Sequence, residues 1–232
     1  MYEERIKTIR EKNPFISNVN IAYSIILDDI VDGNIPSGIK LNQNQLADEM
    51  GMSRSPIREA FIKLESEGFL IKGESGSYSV PEFDLGDYVD LGEFRLAIEP
   101  LAAYYAARYI SEEELLQLKG LINKWHEAAA DSDHAKLLHL DMAFHRAIVE
   151  ASGNRYLIQT YRMYEKRNLY YRRLVYPETN LHYSYRKHRL IYEKICEHDE
   201  TGAQEAMRLH LSFYMKNAVR RTKNKPINIS HK

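Results

Sequence analysis

The feature that most restricts the fold of this chain is a change of pattern near residues 81–87, PEFDLGD. Before this segment, short helical stretches alternate with turns and with a stretch typical of a β-hairpin. After it, apolar residues recur at helical spacing as far as residue 222. The sequence therefore predicts a mostly α protein of two domains, residues 1–80 and 88–222, joined by a linker at 81–87. The polar stretch 223–232 is predicted to be a disordered tail.

Composition limits the classes of protein to which the chain can belong. With 232 residues, of which 44% are hydrophobic and 28% are charged, it can fill two cores and stay in solution. The single cysteine excludes an intrachain disulfide, and no apolar run approaches the ~18 residues of a membrane span. A cytoplasmic protein that does not contact a membrane is expected. The net charge of −1 argues against indiscriminate binding to nucleic acid.

The order of elements before residue 81 is that of a winged helix-turn-helix. Two helical stretches are followed by a turn at Gly51 and by a third helix, SPIREAFIKLESEG. Ser55 is predicted to be the N-cap of this third helix and Pro56 its first residue. The next segment, FLIKGESGSYSV, alternates apolar and polar residues around glycines, as β-hairpins do. In a winged helix-turn-helix, the third helix enters the major groove of DNA.

Five residues at the start of the third helix and in the hairpin are predicted to contact DNA. Arginine forms bidentate contacts with guanine, and serine hydroxyls or free helix amides bind phosphate. A glycine at the hairpin tip allows close approach to the DNA backbone. The alternative is that the two arginines pair with Glu49 or Glu59 on the protein surface, but the order of the elements favours DNA. The five residues are Ser53, Arg54, Ser55, Arg58 and Gly76.

In the second domain, four polar residues have spacings that predict convergence. Asp141 and His145 are four residues apart, so they lie on one face of a helix, beside apolar neighbours. His188 and His210 lie 11 residues before and 11 residues after Asp199, where the last two helices are expected to turn. In an antiparallel pair of helices, both imidazoles then lie at the same height. If the helix of Asp141 and His145 packs alongside, all four side chains meet inside the bundle.

Three neutral imidazoles and one carboxylate, without a thiolate, suit a divalent metal ion such as Zn²⁺, Ni²⁺, Fe²⁺ or Mn²⁺. A metal that prefers six ligands would keep two positions open for an anionic small molecule. The spacings alone leave open the alternative that each of these histidines is an ordinary helix residue. That interpretation is given to the six other histidines of the chain, His126, His134, His139, His182, His198 and His231.

Two stretches of the chain resemble a known family. Residues 18–80 resemble the winged-helix domain of GntR-family transcriptional regulators, since LADEMGMSRSPIREAFIKLESEGFL is close to the signature of that family. Residues 88–221 resemble the FCD ligand-binding domain of the FadR-type branch. The matching motifs are FRLAIEPLAA, the D-x-x-x-H of Asp141 and His145, ASGN, and the histidines within YRKHRLIYEKI and AMRLHL.

The resemblance implies a homodimeric regulator, preferably a repressor, that binds a palindromic operator in double-stranded DNA. It also implies that the four convergent residues hold a metal and that a small carboxylate effector reaches this metal. Arg54 and Arg58 are carried over as DNA contacts and Gly76 as the tip of the wing. Many members have an arginine on the second helix where this chain has Asn44. Asparagine can bond adenine or phosphate but cannot replace arginine on guanine, so the operator is expected to differ there.

Arg95 has two interpretations. It precedes Glu99 by four residues, which is the spacing of an ion pair within one helix. Alternatively, its guanidinium lies near the pocket and binds the carboxylate of an effector in a bidentate manner. The sequence does not separate the two.

Two other functions compete with effector sensing. One is a metal-dependent hydrolase or lyase fused to a DNA-binding domain, in which Glu99 or His139 would have to act as the general base. The other is a purely structural metal without an effector. The regulator, which needs no general base, is the preferred hypothesis.

Overall fold

The structure is a computed structural model that describes residues 2–74, 76–82, 84–130, 134–175 and 181–224. The chain divides into two compact units, Met1–Phe83 and Asp84–Lys232. Residues 225–232, most of the predicted tail, lie outside the described residues. Across the described part of the chain, no helix is long and apolar enough to cross a membrane.

The first unit is a winged helix-turn-helix, as the sequence predicted. The central strand of its sheet, Tyr78–Ser79, is antiparallel to both of its neighbours. The first helix and the first strand were not predicted, because the helix buries only Ile6 and the strand is two residues long. The elements are α1 (Tyr2–Lys12), α2 (Asn18–Val31), β1 (Lys40–Leu41), α3 (Gln43–Met50), α4 (Arg54–Ser66), β2 (Ile71–Lys72) and β3 (Tyr78–Ser79).

The core of the first unit lies between α2 and α4. Ile21 and Ile25 of α2, with Ile57 and Phe61 of α4, are completely buried. Burial of a side chain of this size contributes about 1.5–3 kcal/mol to stability. The ring of Tyr78 in β3 packs edge-on against Phe61, with the ring centroids 5.1 Å apart. This contact fixes the wing to the third helix of the motif.

The start of α4 corrects the predicted N-cap. Ser53, not Ser55, is the N-cap, with extended backbone angles of −69° and 165°, and Pro56 is the third residue of the helix. A proline is tolerated throughout the first turn because the amides there have no helical acceptor. Pro56 therefore restricts the start of the helix to a few positions and does not select one.

The second unit is a bundle of helices joined by short turns. Ser111 and Glu114 form a capping box, with Glu114 N donating to Ser111 Oγ (3.3 Å) and Ser111 N donating to Glu114 Oε2 (2.8 Å). Pro100 lies inside one continuous helix and does not divide it. The described helices are α5 (Leu85–Tyr109), α6 (Glu112–Ala130), α7 (His134–Ala151), α8 (Arg155–Val175), α9 (Leu181–Cys196) and α10 (Glu200–Asn224). Thus the last three positions of the predicted linker and the first two of the predicted tail are helical.

Helix α5 is central to the bundle, because it contacts α7, α8, α9 and α10. Its buried alanines allow these helices to approach closely, and Ala103, Ala106 and Ala107 belong to the main core cluster. Glu99 and Arg95 precede Ala103 by one and two turns, so they lie on the same inner face. The polar site therefore adjoins the apolar core. Further members of that core are Leu118, Phe144, Ile148, Ile191, Ile195 and Met207.

Candidate metal centre and DNA interface

Four polar side chains from three helices meet inside the second unit. Asp141 and His145 lie on α7, His188 on α9 and His210 on α10. Each offers one potential ligand atom, these atoms all lie within 4.8 Å of one another, and all four residues are buried. His145 Nε2 is 3.1 Å from His210 Nε2, and His188 Nε2 is 3.2 Å from Asp141 Oδ1. The structure thus brings together the four residues whose spacings predicted convergence.

The short turn between α9 and α10 explains why the two histidines are level. Helix α9 ends at Cys196 and α10 begins at Glu200, so the turn lies where Asp199 was expected to mark it. Asp199 Oδ1 accepts a hydrogen bond from Gly202 N at 2.8 Å, which caps the start of α10. Equal distances along both helices from this turn place His188 and His210 side by side, with ring centroids 4.6 Å apart.

A second layer of buried polar groups orients His145. Glu99 Oε2 is 2.6 Å from His145 Nδ1, and Glu99 Oε1 accepts hydrogen bonds from Arg95 Nε at 2.6 Å and from the Tyr164 hydroxyl at 2.9 Å. Burial by itself raises the pKa of Glu99, but the charge of Arg95 and the hydrogen bonds from Arg95 and His145 outweigh it and hold this pKa well below its usual range. With Nδ1 donating to the carboxylate, Nε2 presents its lone pair to the cluster. Metal-binding histidines in proteins typically have this arrangement.

Arg95 is engaged in the pair with Glu99 that its spacing suggested. Its remaining terminal nitrogen, Nη1, donates to Asn168 Oδ1 at 3.1 Å. Arg95 and Asn168 also line a cavity of about 10 Å³ beside Leu211, which is room for about one water molecule. The ion pair is therefore present in the structure, and the role of Arg95 in effector binding stays a prediction.

The structure adds Arg172 of α8 to the site, a residue that the sequence analysis missed. Its Nη1 forms a close ion pair with Asp141 Oδ2, and only 6% of the residue is exposed. The stretch LYYRRLVY contains two adjacent arginines, and Arg173 is exposed. Nothing in the local sequence indicates which of the two turns inward, because that depends on how α8 packs against α7.

The histidines of the cluster are held in the form that binds metals. Burial lowers the pKa of His145, and it lowers the pKa of His188 and His210 well below the ordinary value. Neutral imidazole is the form that ligates a metal ion. Among the described residues, neither ring nitrogen of His188 makes a hydrogen bond although both are buried, and Asp141 makes the ion pair with Arg172 but no hydrogen bond. Buried polar atoms rarely lack partners, so this donor set fits a bound cation.

The residues predicted to contact DNA are all exposed in the first unit. Gly76 has a φ of +77°, and no heavy atom lies within 4 Å of a Cβ built there, so the wing tip is open to a partner. Asn44, near the start of α3, lines one open groove with Gly76. In the described part of the chain, Arg54 and Arg58 form no ion pair. The exposed residues of this set are Asn44, Ser53, Arg54, Ser55, Arg58 and Gly76.

The acidic residues of the alternative interpretation, Glu49 and Glu59, have other partners. Glu59 Oε1 accepts a hydrogen bond from Ser55 Oγ at 3.1 Å, and Glu49 Oε1 accepts one from Gln45 Nε2 at 2.8 Å. The surface ion pairs proposed as the alternative to DNA contact are therefore not present. Both guanidinium groups are available at the N-terminal end of α4.

A winged helix-turn-helix followed by a helical unit with a buried His/Asp cluster is typical of one-component transcriptional regulators, in which one polypeptide carries both the DNA-binding domain and the ligand-binding domain. Residues 19–78 match the family described as bacterial regulatory proteins, gntR family, and residues 90–213 match the FCD domain. The chain belongs to the GntR family of transcriptional regulators and contains an FCD domain. It is therefore a DNA-binding regulator of transcription and not an enzyme, which excludes the metal-dependent hydrolase or lyase considered above.

Similar proteins are found in several bacteria. The chain is 28% identical over 196 residues to the "Uncharacterized HTH-type transcriptional regulator YdhC" of Bacillus subtilis. The aligned region covers 82% of this chain and 86% of the relative. It is 31% identical over 216 residues to the "Putative L-lactate dehydrogenase operon regulatory protein" of Escherichia coli, with 79% and 80% covered.

Solved structures share the fold at lower sequence identity. McbR/YncC of Escherichia coli has a TM-score of 0.76 at 19% identity, over 89% of this chain and 99% of that one. Lar of Listeria monocytogenes has a TM-score of 0.61 at 20% identity, over 89% and 98%. These likenesses confirm the fold.

Proposed function

We propose that this chain is a homodimeric repressor whose affinity for a palindromic operator is set by a divalent metal ion and a small carboxylate bound inside the second unit. The observation that supports this most directly is the buried group of three histidines and one aspartate within 4.8 Å of one another. Bringing four such groups together away from water costs free energy, and a bound cation would offset this cost. The buried carboxylate of Glu99 behind His145 is the second support.

The proposed ligands of the metal are Asp141, His145, His188 and His210. Four protein ligands from three helices fit Zn²⁺, Ni²⁺, Fe²⁺ or Mn²⁺. When bound, the metal supplies a positive centre that attracts a carboxylate oxygen. The residues of the chain bind this metal, orient His145 through Glu99 and exclude bulk water.

DNA binding is assigned to α4 and the wing. Two copies related by two-fold symmetry would insert α4 into successive major grooves about 34 Å apart. Arg54 and Arg58 would contact guanine, Ser53 and Ser55 phosphate, and Gly76 the minor-groove side of the backbone. Asn44 would contact adenine or phosphate. The target DNA implies a cytoplasmic protein.

Helix α8 offers a route from the metal site to the DNA-binding unit. At Arg172 it pairs with Asp141, and one residue earlier the Tyr171 hydroxyl bonds Asp87 in the first turn of α5. Arg167 Nη2 donates to the same carboxylate oxygen at 2.7 Å. Because α5 is the helix that follows the DNA-binding unit along the chain, a shift of α8 at Arg172 is passed to its start. An acid that prefers one position of α8 then changes the population that binds DNA.

Metal content tests the first half of this proposal. The double variant His145→Ala/His210→Ala is expected to contain no stoichiometric metal after purification, by inductively coupled plasma mass spectrometry. His139→Ala, an exposed position on the same helix as His145, is the matched control and keeps the wild-type content. Circular dichroism shows whether the helices of the double variant are retained. Full metal content in a folded double variant contradicts the site.

Selection from a pool of random double-stranded DNA tests the second half. The wild type is expected to enrich a two-fold symmetric sequence, and Arg58→Ala to bind it more weakly by roughly 1–3 kcal/mol per half-site. Lys63→Ala is the control, because its ammonium lies over the Tyr23 ring, 3.8 Å from the centroid. Equal affinity of the wild type and the Arg58 variant would remove α4 from the DNA interface.

A further inference from the structure

Two side chains of the second unit carry hydrogen-bond donors that are buried without an acceptor. They are Trp125 on α6, which is 5% exposed, and His188 on α9, which is 2% exposed. In the described part of the chain, neither the indole Nε1 of Trp125 nor either ring nitrogen of His188 makes a hydrogen bond. A buried donor without an acceptor costs free energy, so an acceptor from outside the chain is expected at this place.

A metal would occupy only one of the two nitrogens of His188. Nε2 lies 3.2 Å from Asp141 Oδ1 and faces the cluster, so Nδ1 carries the proton when Nε2 binds a metal. His145 has Glu99 as the acceptor of the equivalent proton, whereas no described residue accepts the proton of His188. Metal-binding histidines usually have such an acceptor. His188 therefore lacks an acceptor on the side away from the cluster, as Trp125 does.

Trp125 and His188 line the same small space between α6, α7 and α9. Their rings pack edge-on with the centroids 4.7 Å apart. The space is too small for a water molecule, so water is not the missing acceptor. A ligand group can enter if the outer wall moves, where Leu121 and Tyr185 are only half-buried. The rest of the lining is aliphatic or aromatic and consists of Leu121, Ile122, Phe144 and Tyr185.

Resting on the proposed function, we infer that the acid bound at the metal carries a second oxygen and that this oxygen accepts a hydrogen bond from Trp125 Nε1. Because Trp125 packs against a proposed metal ligand, its indole lies within the length of a short acid from the metal. A hydroxyl, a carbonyl or a second carboxyl oxygen can accept this bond, and an alkyl group cannot. With two lone pairs, the same oxygen can also accept from His188 Nδ1. Trp125 thus selects short acids with an oxygen function against plain alkyl acids.

The test compares acids in which a methyl group replaces a hydroxyl group of similar size. Three pairs place the hydroxyl on the second, third or fourth carbon: L-lactate and 2-methylpropanoate, 3-hydroxybutanoate and 3-methylbutanoate, and 4-hydroxypentanoate and 4-methylpentanoate. Isothermal titration calorimetry of the Zn²⁺-loaded full-length protein measures each affinity. In at least one pair, the hydroxy acid is expected to bind about tenfold more tightly, as one hydrogen bond to a buried donor implies.

Variants of the lining identify the donor. Trp125→Phe keeps an aromatic ring and removes the N–H, so the preference for the hydroxy acid is expected to fall to about twofold or less. Tyr185→Phe is the matched control, because it removes a polar group from the same lining. The Tyr185 hydroxyl bonds Arg189, which is exposed, so this variant retains the wild-type ratio. Each result is a ratio of two affinities of one variant, so partial loss of stability does not imitate it.

Nuclear magnetic resonance observes the proposed bond directly. Trp125 is the single tryptophan of the chain, so its indole N–H gives one signal in the proton–nitrogen correlation spectrum of the labelled, Zn²⁺-loaded protein. The preferred hydroxy acid is expected to move this proton downfield, because a hydrogen bond to oxygen deshields it. The methyl analogue of that acid is expected to leave the proton without a downfield shift.

The outcomes separate this inference from the proposed function. Equal affinities within all three pairs, or a preference that Trp125→Phe leaves unchanged, overturns the role of Trp125 while the metal site stands. The second of these results would place the hydroxyl group on the metal instead. Failure of all six acids to bind to the Zn²⁺-loaded wild type overturns both this inference and the proposed carboxylate effector. Absence of stoichiometric Zn²⁺ from the wild type after incubation with the metal overturns the metal site as well.

Discussion

Glu99 Oε2 and His145 Nδ1 lie 2.6 Å apart in the fully buried interior of the second unit. The contact makes Nδ1 the donor and leaves the lone pair of Nε2 directed to the cluster, 3.1 Å from His210 Nε2. The ring is thereby set in the tautomer that a metal requires. The pair joins α5 to α7, so the orientation of His145 depends on the packing of these two helices.

Glu99→Gln is therefore expected to weaken metal binding by about 10–100-fold. The amide is neutral, so it holds the His145 ring less firmly and lowers the basicity of Nε2. Competition with a chromophoric chelator measures the affinity.

Two further variants make this result specific. Glu99→Gln leaves Arg95 buried without its counter-ion, so the double variant Arg95→Met/Glu99→Gln, which removes both charges, should show the same loss of metal affinity. Tyr164→Phe removes a hydrogen bond to Glu99 and keeps the carboxylate, so its metal affinity should change by less than about threefold. If both Glu99 variants bind metal as the wild type does, Glu99 does not position His145.

Trp125 is expected to report the binding of metal through its fluorescence. It is the one tryptophan of the chain, is 5% exposed, and packs edge-on against His188 with the ring centroids 4.7 Å apart. A cation on His188 changes the electric field at the indole, so titration with Zn²⁺ should alter the emission and saturate at about one equivalent. The same change in His145→Ala/His210→Ala would show that the signal arises elsewhere.

The convergence of the four polar residues could be predicted because most of it is local. Asp141 and His145 are one turn apart, and His188 and His210 are related by a short turn between two regular helices. Rise per residue determines such positions without knowledge of the rest of the fold. Only the packing of α7 against α9 and α10 had to be assumed.

Arg172 could not be predicted for the opposite reason. Its contact with Asp141 depends on the crossing of α8 and α7, and helical periodicity does not specify the rotation of one helix against another. The start of α4 was misplaced by two residues because Pro56 is compatible with several positions of the first turn. Strand β1 was missed because two residues show no alternation, and its pairing with β3 is a long-range contact.

The stability of the metal-free protein is expected to fall as the pH drops below about 6.5. Burial lowers the pKa of His188 and His210 well below the ordinary value of a histidine, and it also lowers the pKa of His145. Below pH 6.5 the unfolded chain takes up protons that the folded chain does not bind. The free energy of unfolding then decreases with falling pH by up to about 1.4 kcal/mol per pH unit for each of these histidines. Above pH 6.5 this contribution is fully present.

Urea denaturation of the chelator-treated protein at about pH 7.5 and about pH 5.5 measures this dependence. The double variant His188→Gln/His210→Gln should show a distinctly smaller pH dependence, since two of the groups that resist protonation are gone. Parallel pH profiles for wild type and double variant would show that other groups cause the acid sensitivity.

Asp87→Asn is expected to uncouple the second unit from DNA binding without weakening the binding of Zn²⁺ or of a small carboxylate such as succinate. Asp87, in the first turn of α5, is bonded by the Tyr171 hydroxyl and by Arg167 of α8, and it is partly exposed. Affinities for Zn²⁺ and succinate should stay within about twofold of wild type, because a partly exposed ion pair contributes little to stability. The factor by which succinate changes DNA affinity, about 5–150-fold in typical couplings, should shrink several-fold.

Fluorescence anisotropy with the selected DNA, in the presence and absence of succinate, measures this factor. Asp90→Asn is the matched control, because Asp90 is an exposed aspartate one turn further along the same helix. It removes the same charge from α5 and leaves the bonds to α8 intact, so its response to succinate should equal that of the wild type. An unchanged response in Asp87→Asn would contradict α8 and Asp87 as the route, because the ionic part of their contact would then be lost without consequence for DNA binding.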